Sequence, residues 1–162
     1  MNHRALRMLA AAGMLSLALP SLATTASAQE AEQGADEATA AGALIAYRDA
    51  LVALDADAAS ALFVEDSSVF ENGKAEGSWA NYLEHHLGPE LGHFEAFEFP
   101  RYEVEIREMG DLAYGEERYS YRITLEDGRV IERDGVATSL LRREGDTWKI
   151  VSHHSSSRAP RN

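Results

Sequence analysis

From Phe97 to Arg158 the chain alternates apolar and polar residues in four long runs joined by short glycine turns, and few folds accept that pattern. In "FEFPRYEVEIREM" the residues Tyr102, Val104 and Ile106 share one face, and Gly110-Asp111 then turns the chain. "LAYGEERYSYRITL" alternates again up to Asp127-Gly128. "VIERDGVATSLLRR" and "TWKIVSHHSSS" follow, separated by Glu144-Gly145-Asp146. Four consecutive strands on short turns predict an antiparallel meander. One face of such a sheet needs a cover.

The preceding segment supplies it. From Thr39 onward Leu44, Tyr47, Leu51 and Leu54 recur at three and four residues, with Ile45 and Val52 widening the stripe. Asp55 or Asp57 can cap a second short helix in "AASALFVED". "SSVFE" reads as extended, and Asn72-Gly73 predicts a tight hairpin turn. Ser78 can cap a third helix carrying Trp79, Tyr82, Leu83, His86 and Leu87. Pro89 fits a first helical turn but not a helix interior, which predicts a kink or restart at Gly88-Pro89. Helices segregated from strands define an α+β fold. The expected architecture is a cone-shaped, curved antiparallel sheet, a four-stranded meander plus a short N-terminal hairpin, packed against three helices with a cavity between the layers.

Residues 1–28 read as a secretory signal: a short cationic start with Arg4 and Arg7, an apolar run too short to span a bilayer, and "ASA" before a cleavage point after Ala28. The expected location is periplasmic or secreted. Residues 29–38 read as a flexible acidic leader, residues 39–158 as one domain and residues 159–162 as a tail. Losing Arg4 and Arg7 from 15 basic residues against 27 acidic ones leaves a mature net charge of −14. Such a surface disfavours nucleic acid and anionic lipid, so neither is expected as a partner. With no cysteine in the chain, packing alone must stabilise the domain.

The order helix, helix, hairpin, helix, meander, ending in "WKIVSHHSS", resembles the nuclear transport factor 2-like superfamily. The chain looks most like its SnoaL-like and ketosteroid-isomerase-like branches. "GDLAYGEERYSYRI" and "GVATSLLRREGDTWKIVSHHSSSR" carry the resemblance, which covers Thr39 to Arg158. It implies a small-molecule cavity. The same fold hosts isomerases, cyclases, dehydratases, binding modules and oligomerisation domains, so it does not fix a function. Steroid isomerisation needs a carboxylate base with a Tyr–Asp acid pair, and no defensible spacing places that set here.

Four constellations are candidates. His86, Glu90 and His93, spaced four and three apart, would share a helix face with Tyr82. They suit an acid/base pocket, a two-histidine, one-carboxylate metal site, or a polar rim. In "YGEERYSY" the register with Ala113, Gly115, Glu117, Tyr119 and Tyr121 inward avoids burying Arg118 and Arg122. An inward Glu117 must be functional or paired, Arg133 being a structural partner within reach of the next strand. Val136, Thr138 and Leu140 alternate with Ala137, Ser139 and Leu141, so both faces of that strand are apolar or small, as a homodimer interface would require. In the last strand, alternation from Trp148 and Ile150 points Ser152 and His154 at the cavity and turns His153 away. His154 there either relays protons or ends the strand with a simple hydrogen bond.

These readings combine into an exported protein that binds a small, partly apolar molecule. Tyr82, Phe94, Tyr119 and Tyr121 would line the cavity, with Glu90 at its polar end. His86 or His154 would act as base, oriented by Glu117, in an isomerase- or lyase-type reaction without an organic cofactor. The alternatives are a periplasmic protein binding a divalent metal through His86, Glu90 and His93, and a non-catalytic dimerisation or sensing module.

Overall fold

The computed structural model describes residues 38–161. The expected signal, and the leader up to residue 37, lie outside the described residues. Helix α1 spans Ala40–Val52 and is capped by Thr39, whose Oγ1 accepts from the Gly42 amide at 2.9 Å. Its buried stripe includes Leu44, Tyr47 and Leu51, whereas Val52 is exposed. The helix ends in a Schellman turn: Leu54 adopts a left-handed φ of 55°, and the Asp55 amide reaches back to the Ala50 carbonyl at 2.9 Å. Asp55 then caps α2, Ala56–Ser60.

Strands β1 (Phe63–Glu71) and β2 (Lys74–Gly77) form the expected hairpin around Asn72-Gly73, and Ser78 caps α3, Trp79–Tyr82. Next comes a π-helical turn, Leu83–Leu87, continuing directly into α4, Gly88–Leu91. The expected kink at Gly88-Pro89 is therefore a widened turn within one helical path. The Gly88 amide reaches Leu83, one residue further back than in an α-helix. The wider turn accommodates a proline ring that an α-helical turn would press against the carbonyl four residues earlier.

The meander is complete: β3 (Phe94–Met109), β4 (Leu112–Leu125), β5 (Val130–Glu144) and β6 (Thr147–Arg158). All six strands form one open sheet in the order β2-β1-β6-β5-β4-β3. The sheet is mixed where an antiparallel one was expected, because β1 joins β6 in parallel. The helices cover one face, and Leu44, Val69, Leu141, Trp148 and Ile150 are fully buried between the layers. Phe63 and Trp79 stack at 4.1 Å with Tyr47 edge-on to both. Among the described residues no helix is long and apolar enough to cross a membrane.

Two irregularities shape the inner face. In β3 the register with β4 shifts between Glu98 and Arg101, where Pro100 has no amide to give to the ladder. In β6, Ile150 pairs with Leu141 but Ser152 pairs with Leu140, so Val151 is an extra residue in a β-bulge.

Candidate functional site

The inner faces of β3, β4 and β6, the end of β1, α1 and the α3–α4 path line a cavity of about 100 Å³. Its walls include Tyr47, Tyr82, Phe94, Phe97, Phe99, Tyr119 and Tyr121. Tyr119 lies so close to β5 that a Cβ on Gly135 would sit 2.1 Å from its ring. Gly115 similarly leaves room for Leu44 of α1. The cavity shares Glu71, Glu90, Phe94 and Tyr121 with a broader outer groove of about 580 Å³, edged by His86, His93, Arg129 and Arg133.

Glu117 projects from the middle of β4 into this space and is 4 % exposed. Arg133 is not its partner. Tyr102 donates its hydroxyl hydrogen to Glu117 Oε1 at 2.8 Å, and Ser139 donates to Oε2 across a longer 3.4 Å. When Glu117 is ionised, Ser139 gives it its one hydrogen and accepts at its 3.0 Å contact with His153 Nδ1. The network then puts the ring hydrogen of a neutral His153 on Nδ1. Burial pushes the Glu117 carboxyl up to about 7, the two hydroxyl bonds pulling the other way. Burial pushes the His153 imidazole down to about 4, with a smaller contribution from His154. Burial likewise raises the phenol of Tyr102, so it remains a donor at neutral pH.

His153, therefore, and not the expected His154, lines the cavity. The bulge at Val151 reverses the alternation: Trp148 and Ile150 are buried ahead of it, and His153 is buried beyond it. His154 is exposed on the opposite face, 6.0 Å from the ring of Phe70.

His86 lies in the outer groove among three carboxylates. Its Nδ1 is 3.0 Å from Glu76, and its Nε2 is 3.6 Å from Glu71 and 3.5 Å from Glu90. Glu76 is buried and also bonded by Lys74 at 2.8 Å; that bond, aided by His86, holds its carboxyl below the usual range. Glu71 accepts from Tyr82 at 2.8 Å. His86, Glu117 and His154 thus do not converge. Among the described residues no three or more His, Asp or Glu side chains are placed to hold a metal ion, and His93 shares only the groove edge with His86 and Glu90.

Of the expected lining residues, Tyr82, Glu90, Phe94, Tyr119 and Tyr121 all border the cavity. Tyr102, Ser139, His153, Glu71 and Glu76 were not anticipated as site residues. The visible signal for Tyr102 was its inward parity in β3, and for Ser139 its parity in β5.

An open sheet, a helical cover and a cavity with a buried carboxylate define an α+β fold of the small-molecule-binding type. The chain belongs to the SnoaL-like domain family, whose model matches residues 41–160. Solved structures agree in fold. A proposed dehydratase of the NTF2-like family from Streptomyces avermitilis is 20% identical with a TM-score of 0.65, over 82% of this chain and 99% of that one. A proposed aromatic ring hydroxylase from Novosphingobium aromaticivorans is 21% identical with a TM-score of 0.64, over 78% and 91%. A proposed ketosteroid isomerase from Shewanella frigidimarina is 23% identical with a TM-score of 0.64, over 76% and 98%. At these identities the likeness is one of fold. Comparison with curated proteins returns no match.

Proposed function

We propose that this protein binds a small molecule in the cavity and transfers a proton on it without an organic cofactor, Glu117 being the acid/base group. One observation carries the reading: a buried carboxylate on the cavity wall is held by two neutral hydroxyls and, among the described residues, by no cation. Burying such a group costs stability, and a site that retains it gains a base poised near neutrality. Ionised Glu117 would take a proton from a carbon acid and return it at a second position, an isomerase-type cycle. Tyr102 would steady the carboxylate between the two steps. Ser139, itself held by neutral His153, would fix its second oxygen, and Glu117 takes the role of base that was expected of His86 or His154.

The neutral, single-ring ketone cyclohex-3-enone is a suitable probe of this chemistry. Wild-type protein should accelerate its conversion to the conjugated isomer, with a rate that rises as pH passes through about 7. Glu117→Gln should lose the acceleration while keeping its circular dichroism. Equal rates for the two proteins would end the assignment.

Export and self-association are part of the same proposal. The signal-like residues 1–28 support export. The outer face of the sheet, where Val136 is 52 % and Phe70 40 % exposed, supports a homodimer. Native mass spectrometry of protein recovered from a periplasmic extract tests both: a monomer beginning at Met1 would refute them.

A further inference from the structure

The cavity's dimensions and charges restrict what it can take. A dry cavity of roughly 150 Å³ holds one benzene ring, so about 100 Å³ suits a body of about one ring. The body would meet the rings of Tyr47, Phe97, Phe99, Tyr119 and Tyr121. Three carboxylates border the same space: Glu117 inside, and Glu71 and Glu90 where the cavity meets the groove. Glu71 and Glu90 approach each other, since both lie within 3.6 Å of His86 Nε2.

Little positive charge opposes them. Among the described residues Arg48 is the one cationic side chain lining the cavity. It is bonded to Asp49, and its guanidinium stacks 4.9 Å over Tyr102. Lys74 is bonded to Glu76. His86 can balance at most one carboxylate, and Glu76 already engages its other nitrogen. Arg129 is tied to Asp127, and both Arg129 and Arg133 edge the groove but do not line the cavity. Burial raises the Glu90 carboxyl, His86 beside it pulls the other way, and Glu71 and Glu76 add smaller contributions upward. Ring faces are themselves negative and attract cations.

We infer that the ligand is a small primary amine, with its ammonium at Glu71 and Glu90 and a single-ring or equivalent apolar body inside the aromatic cavity. This rests on the cavity being a ligand site, but not on Glu117 acting as a base. Carboxylates and phosphates would meet like charge at Glu71 and Glu90 and are disfavoured there.

Titration calorimetry at pH 7 with benzylamine, benzyl alcohol and benzoate separates charge from shape. Benzylammonium should bind about tenfold or more tightly than benzyl alcohol, and benzoate should not bind measurably. The doubly substituted variant Glu71→Gln, Glu90→Gln should bring benzylamine to within about threefold of benzyl alcohol and leave benzyl alcohol binding unchanged. The side-chain amide introduced by Glu71→Gln can still accept from Tyr82, so the fold is retained and circular dichroism verifies it. If benzyl alcohol or benzoate matches benzylamine in the wild type, the amine inference fails while the cavity reading stands. If none of the three binds, both fail.

Discussion

The phenol of Tyr102 donates to the buried carboxylate of Glu117 at 2.8 Å. The charge of Glu117 is thus supported by a hydroxyl on the neighbouring strand. Tyr102→Phe removes that support and should raise the Glu117 carboxyl further above about 7. Carbon-detected NMR titration of the carboxyl reads the shift. An unchanged midpoint would show that the bond does not stabilise the ionised form. The loss of one hydrogen bond should cost about 1 kcal/mol of stability.

The raised carboxyl of Glu117 predicts a pH dependence of defined sign. Its pKa climbs from 4.5 unfolded to about 7 folded, so its contribution to stability is complete below 4.5 and is lost as pH rises through 7. The loss is about 3 kcal/mol at full ionisation. Glu117→Gln should therefore gain stability over the wild type between pH 5 and pH 8, by roughly that amount. His153 acts oppositely: its pKa falls from 6.5 to about 4, and its contribution, present above 6.5, is lost as pH drops through 4. Between 4.5 and 6.5 the two slopes offset each other in the wild type. Urea melts of both proteins across this range test it, and parallel curves would contradict it.

The adjacent histidines should respond differently to substitution. His153→Ala removes a buried ring, its bond to Ser139 and its edge contact with Tyr47, at a cost of roughly 2–3 kcal/mol. His154→Ala should stay within about 0.5 kcal/mol of the wild type in a monomer. Equal losses in chemical denaturation would refute the assignment of faces.

Gly135 is the floor under Tyr119. A methyl group there would stand 2.1 Å from the ring, so Gly135→Ala should displace Tyr119 and cost about 1–3 kcal/mol. Adding Tyr119→Ala removes the obstruction, so the double variant should lose less than the two single losses summed. Strict additivity in thermal melts would show that the two residues do not meet.

The features legible in the sequence were those with a strong local cause. Asp55, one of two candidates, and Ser78 cap helices because their oxygens find free amides. The face of β4 followed from the cost of burying Arg118 and Arg122, and that placed Glu117 inside. The face of β6 failed because Ile150 and Val151 are both apolar, so alternation carries no mark of which residue bulges out. Glu71 and Glu76 escaped notice because a hairpin, not helical spacing, brings them to His86. The parallel seam between β1 and β6 joins segments about eighty residues apart, and no local pattern encodes such a pairing.

The bulge at Val151 also makes one position in β6 indifferent to length. With Val151 deleted, Ile150 and Ser152 become consecutive and still face Leu141 and Leu140, which are themselves consecutive. The ladder turns regular, and Trp148, Ile150 and His153 all keep their inward parity. Elsewhere in β6 the loss of one residue would turn every side chain beyond it to the other face. At Val151 the chain can lose a residue and keep the same imidazole inside.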